Sequence, residues 1–122
     1  MKNIRKGQVE DEISKAIIKF EREHMGRGPK EVKTYIIGDI IFVRLKGVLT
    51  AAEQRLAKNE GGIELIKKVR ANLIENSKSF LEQIINKITK IRLISMHTDI
   101  STVTGERVIL FILAENLEEK FK

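Results

Sequence analysis

The 122-residue chain carries 23 Lys/Arg against 17 Asp/Glu, a net charge of +6, with 42% apolar and 33% charged residues. That length and balance describe a single globular domain, residues 1–122, able to bury about two-thirds of its unfolded surface, and they exclude a disordered chain. Cysteine is absent, which excludes disulfides, thiol nucleophiles and thiolate zinc sites and fits a reducing cytoplasm.

The basic segment Met1–Lys6 is not followed by an apolar run of signal-peptide length, and runs such as Ile40-Ile41-Phe42-Val43 are too short to cross a bilayer. Any membrane association is therefore expected to be peripheral, through a partner. Residues 7–24 read as a helix, with Val9, Ile13, Ala16, Ile17, Phe20 and His24 on one stripe. Glu10, Asp11 and Glu12 fall in its expected first turn, where acids suit the helix dipole. Gly26 and Gly28 weaken the helix and Pro29 stops it.

Residues 32–47 read as a hairpin turning on Gly38-Asp39. That turn pairs Ile37 with Ile40, Ile36 with Ile41 and Thr34 with Val43. One face then holds Val32, Thr34, Ile36, Ile41, Val43 and Leu45. The other holds Tyr35, Ile37, Ile40, Phe42, Arg44 and Lys46. Both faces are apolar near the turn, so the second is expected to meet another surface. Tyr35, Ile37, Ile40 and Phe42 are the expected interface of a homodimer.

Thr50-Ala51-Ala52-Glu53 has the capping-box pattern and opens a short helix, which Gly61-Gly62 is expected to break or bend. Residues 63–87 follow as a long helix, with Ile66, Val69, Leu73, Phe80, Ile84 and Ile88 on one side, interrupted at Asn76-Ser77. Residues 91–100 and 106–114 form a second hairpin closed by Gly105. With a short loop through Val103 and Thr104, Ile100 pairs with Val108, Thr98 with Leu110 and Met96 with Ile112. The opposite face then carries Ser95, His97, Asp99, Ile109 and Phe111. Residues 115–122 read as a polar tail.

The expected fold is a two-layer α+β domain in the order α-β-β-α-α-β-β. Its two antiparallel hairpins form one sheet, packed against the first helix and the long helix.

Few residues invite chemistry. His97 and Asp99 share a strand face, and with Glu106 they could hold a metal or move a proton. Two histidines in the whole chain are few for a metal site, so no metal and no cofactor is expected. Arg27 lies between glycines, where an anion can approach; a Glu31 or Asp99 partner would explain it equally well. No phosphate-loop pattern accompanies it. No serine sits in a nucleophile elbow. Phe42 and Phe111 fall on strands without an RNA-binding signature. Six Lys/Arg against three Asp/Glu in residues 22–50, and eight against five in residues 51–90, place the basic excess mid-chain. Its interspersed acids favour solvated faces over a nucleic-acid stripe.

Three blocks together resemble the MpsC-like family of small bacterial proteins. They are Met25-Gly26-Arg27-Gly28-Pro29, then Arg44-Leu45-Lys46-Gly47-Val48-Leu49-Thr50 with Glu53, then the stretch from His97 through Thr98-Asp99-Ile100-Ser101 and Thr104-Gly105-Glu106 to Arg107. The resemblance covers residues 7–117. It implies the third component of a sodium-translocating, membrane-potential-generating system. The other components resemble a respiratory-complex-type antiporter subunit and a large partner linked to inorganic carbon uptake. The resemblance assigns no catalytic residues.

The expectation is a cytoplasmic, non-enzymatic accessory protein, a homodimer with a membrane-protein partner. The alternative is a basic nucleic-acid-binding or regulatory dimer. Arg27, His97, Asp99, Glu106 and Arg107 are the expected anion- or partner-binding residues, gathered on one surface.

Overall fold

The computed structural model describes residues 5–121; the start of the basic N-terminal segment and the last residue of the tail lie outside them. Helix α1 (Lys6–His24) buries Val9, Ile13, Ile17 and Phe20 of the stripe expected from periodicity, while Ala16 is only half-buried and His24 is exposed. It begins a residue early, so Glu10–Glu12 sit in its second turn rather than the first. Glu10 instead accepts from the Ile36 N–H at 2.8 Å and so binds the helix to the edge strand.

Strands β1 (Glu31–Ile37) and β2 (Ile40–Lys46) pair in the expected register, Ile37 with Ile40, Ile36 with Ile41 and Thr34 with Val43. Gly38 takes φ +60° while Asp39 keeps a negative φ, the pattern of a II′ turn. Thr50 caps α2 (Ala51–Leu56) with both halves of the capping box formed.

The long helix comes as two, α3 (Glu60–Asn76) and α4 (Lys78–Thr89), separated at Ser77. The Ser77 hydroxyl donates to the Leu73 carbonyl at 2.9 Å, a local bond that competes with helix continuation. Gly61-Gly62 does not end α2; Asn59 caps α3, accepting from the Gly62 N–H, and the glycines lie in its first turn.

Strands β3 (Leu93–Ile100) and β4 (Arg107–Leu113) complete an antiparallel sheet of order β1-β2-β4-β3. Their register differs by one residue from the expected one. Ile100 faces Arg107, Thr98 faces Ile109 and Met96 faces Phe111. The loop closes on Ser101, whose N–H donates to the Glu106 carbonyl at 2.8 Å and whose carbonyl accepts from Gly105 at 2.9 Å. One residue of slip exchanges the faces. Ile109 and Phe111 are therefore buried, and Val108, Leu110 and Ile112 stand beside His97 and Asp99 on the outer side.

The helices cover one face of the sheet. Ile36, Ile41, Val43, Leu45, Ile109 and Phe111 form the core with Val9, Ile13, Ile17, Phe20, Leu81 and Ile85. The expected polar tail is not free either. Leu117 is fully buried, and Glu118 accepts from the Gly38 N–H and pairs with Lys6.

A sheet with one open face and a buried charge cluster

Cross-strand register arranges the outer side chains in rows. Glu31 and Lys46 make the first. Lys33, Arg44, Val108 and Asp99 make the second. Tyr35, Phe42, Leu110 and His97 form the third, and Ile37, Ile40, Ile112 and Ser95 the fourth. Two rows are thus chiefly apolar and the others charged. Tyr35 is 43% and Ile37 57% exposed; Ile40, Phe42, Val108, Leu110 and Ile112 are partly so. Among the described residues nothing packs on this face. The four hairpin residues expected at an interface all lie here. The second hairpin's Val108, Leu110 and Ile112 join them, on the face opposite to the one the expected register assigns them.

The helical layer has an open stripe of its own. Leu65, Val69, Leu73 and Phe80 are exposed, and α3 turns Ile66, Arg70 and Ile74 inward instead.

Arg27 and the β3–β4 loop lie at one end of the molecule. Arg27 Nη2 donates to the Gly47 carbonyl at 2.9 Å, and the next residue, Val48, donates its N–H to the Gly105 carbonyl. Arg27 therefore has a backbone partner rather than Glu31 or Asp99. Glu106 accepts from Arg44 at 2.7 Å on the outer face. His97 shares a hydrogen bond with Ser95, and Asp99 accepts from the Ile100 N–H, so the carboxylate does not orient the imidazole. Among the described residues no group of three or more His, Asp or Glu could hold a metal ion.

Arg107 is placed elsewhere. It is 2% exposed and points into the core, away from the surface of His97. Its Nη1 donates to Thr98 Oγ1 at 2.8 Å, while Nε and Nη2 have no hydrogen-bond partner. Glu21 Oε2, on α1, is also buried and unpartnered. Beside them Arg70, 4% exposed, grips Glu53 through Nε at 3.0 Å and Nη2 at 2.7 Å, and donates to the Val48 carbonyl at 2.8 Å. Glu53 is also the carboxylate of the α2 capping box.

Burial is the main influence on Glu21 and pushes its carboxyl above the usual range, against the pull of Arg107 and Arg70. Burial likewise lowers Arg107, opposed by Glu21. At Glu53 burial acts upward, but the bonds from Arg70 and Thr50 outweigh it and hold the carboxyl below its usual range. Sequence reading missed Glu21 and Arg70. Their signal was position, because each falls on a buried helical stripe, Glu21 four residues after Ile17 and Arg70 midway between Ile66 and Ile74.

These shifts set a pH profile. Folded Glu21 keeps its proton to higher pH than the unfolded value near 4.5, so stability falls as pH rises through the window above about 4.5. Glu53 acts oppositely: its contribution is present above about 4.5 and is lost as pH falls. Urea unfolding between about pH 5 and 7 should show the first decline, and Glu21→Gln should flatten it. A variant with the wild-type slope would remove Glu21 as its source.

The family described as Na+-translocating membrane potential-generating system (MpsC) matches residues 5–115. The chain belongs to the MpsC family. The three sequence blocks thus fall at the α1–β1 connection, at the β2–α2 connection with Glu53, and at the β3–β4 turn. This MpsC chain is 44% identical over 117 residues to the uncharacterized protein YbcI of Bacillus subtilis (strain 168), covering 96% of this chain and 94% of that protein. It is 26% identical over 111 residues to the uncharacterized protein YrhF of the same organism, covering 89% and 90%. No solved structure matches it significantly. No helix among the described residues is long and apolar enough to cross a membrane.

Proposed function

We propose that this MpsC protein is a non-enzymatic accessory subunit, held at the cytoplasmic side of a sodium-translocating, potential-generating system by contact with a membrane subunit. The observation that carries the reading is the pair of apolar surfaces left open, one on the outer sheet face and one along Leu65, Val69 and Leu73. Uncovered apolar patches on both layers of a small domain are the mark of a protein that works by being covered. Family membership supplies the context. Arg27, Asp99 and Glu106 give a polar rim at one end of the sheet, and His97 borders the apolar rows on the edge strand β3.

The nucleic-acid alternative is weaker on this surface. Arg44 and Lys46 of the outer face are paired with Glu106 and Glu31 rather than gathered into a single-sign stripe.

Purification of the tagged protein from its own cells in mild detergent should bring down an ion-translocating membrane subunit. Val69→Glu, at a position 47% exposed, should release it while leaving unfolding stability within about 0.5 kcal/mol. A titration with single-stranded and duplex DNA at two salt concentrations decides the alternative. Tight binding that weakens steeply with salt, with no membrane subunit recovered, would replace the accessory reading.

A further inference from the structure

We propose that the outer sheet face docks on a second copy of this chain, about a two-fold axis that runs parallel to the strands between β2 and β4. The proposal rests on reading this face as an interaction surface, and takes that reading to a named partner and a geometry.

The argument comes from the rows. The sheet order β1-β2-β4-β3 puts β2 and β4 at the centre and β1 and β3 at the edges. A two-fold along the strands keeps each row at its own level and reverses it from side to side. The partner's β3 then lies over β1, and the partner's β4 over β2. In the third row Phe42 meets the partner's Leu110, and Tyr35 the partner's His97. In the fourth Ile40 meets the partner's Ile112. In the second, Lys33 meets the partner's Asp99, and by symmetry Asp99 meets the partner's Lys33.

Charge decides for this axis. The row Lys33, Arg44, Val108, Asp99 is cationic on its β1–β2 side and anionic at its β3 end. Reversal lays each end on its opposite. Among the described residues neither Lys33 nor Asp99 belongs to an ion pair of its own chain. They cannot pair within one chain, because three strand spacings of about 4.8 Å separate them. Packed sheets stand about 10 Å apart, a gap that a lysine and an aspartate reaching from opposite sides can close. A two-fold across the strands would set β1 on β1 and β3 on β3, so Lys33 and Asp99 could never meet. With that axis at the Phe42 row, Lys33 and Arg44 would both press on the partner's Ile37 and Ile40. That leaves charges buried on apolar surface. Phe42, Leu110, Ile40 and Ile112 supply the apolar centre, and the charged row supplies register and orientation.

Sedimentation equilibrium of the intact purified chain tests this. The wild type should have twice the 14.0 kDa chain mass at tens of micromolar. Leu110→Asp should raise the dimer dissociation constant about a hundredfold or more, with the far-UV circular dichroism unchanged. Lys33→Glu and Asp99→Lys, at exposed positions, test the axis without touching the apolar centre. Each alone sets two like-charge pairs across the interface and should weaken the dimer about tenfold. An equimolar mixture of the two should recover wild-type affinity, because each heterodimer has two opposite-charge pairs.

A wild-type monomer would overturn the proposal. So would a dimer indifferent to Leu110→Asp, single charge variants as tight as wild type, or a mixture no tighter than its components. These masses are read on the chain alone, so their failure is separate from failure to recover a membrane subunit.

Discussion

Arg70→Ala is expected to lower unfolding free energy by about 3–5 kcal/mol, a large share of the stability of a domain of this size. Arg70 is almost wholly buried and makes three hydrogen bonds, two to Glu53 and one to the Val48 carbonyl. Its removal strands both acceptors. Glu53 would retain only its capping role, and the loop between β2 and α2 would lose its tie to α3. Arg70→Lys should recover little, since an ammonium cannot present the two-pronged grip that Nε and Nη2 make. Urea denaturation at neutral pH measures both. A loss below about 1 kcal/mol for Arg70→Ala would mean that water replaces the guanidinium and that the cluster does not hold the layers together.

Gly62→Ala should cost about 2–3 kcal/mol even though alanine is the better helix former. A Cβ at Gly62 would overlap the carbonyl oxygen of Leu56, with the Leu56 carbonyl carbon 2.7 Å away. That neighbour is backbone, so α2 has to move away from α3. The adjacent Gly61 is the internal control. A Cβ there would meet only Asn59 Oδ1, at 3.5 Å, so Gly61→Ala should be neutral or stabilise by about 0.5 kcal/mol. Equal effects at the two positions, read from thermal or urea unfolding, would mean that the α2–α3 approach is not tight.

Several features were legible because one local rule decided each. The Gly38-Asp39 turn set the register of the first hairpin, and Thr50 with Glu53 marked the start of α2. The outward-facing apolar residues Tyr35, Ile37, Ile40 and Phe42 were visible because polar residues should have occupied a solvated face. The second hairpin was not fixed this way. Val108 through Leu113 is apolar on both faces, so either register buries a satisfactory set of side chains. Hydrogen bonds of the Ser101–Glu106 loop chose between them.

The sequence by itself determined the α+β class, the order of hairpins and helices, the first hairpin's two faces and the family. Each follows from periodicity, turn residues or motif spacing, which act over a few neighbouring positions. Tertiary structure alone decided that Arg107 goes inside, that Arg70 and Glu21 join it, and that Leu110 and Ile112 lie beside Phe42 and Ile40. The physical reason is that a charged side chain enters a core when partners from other elements meet it there. Glu53, Thr98 and the Val48 carbonyl come from a helix, a strand and a loop, and only folding brings them to the two arginines.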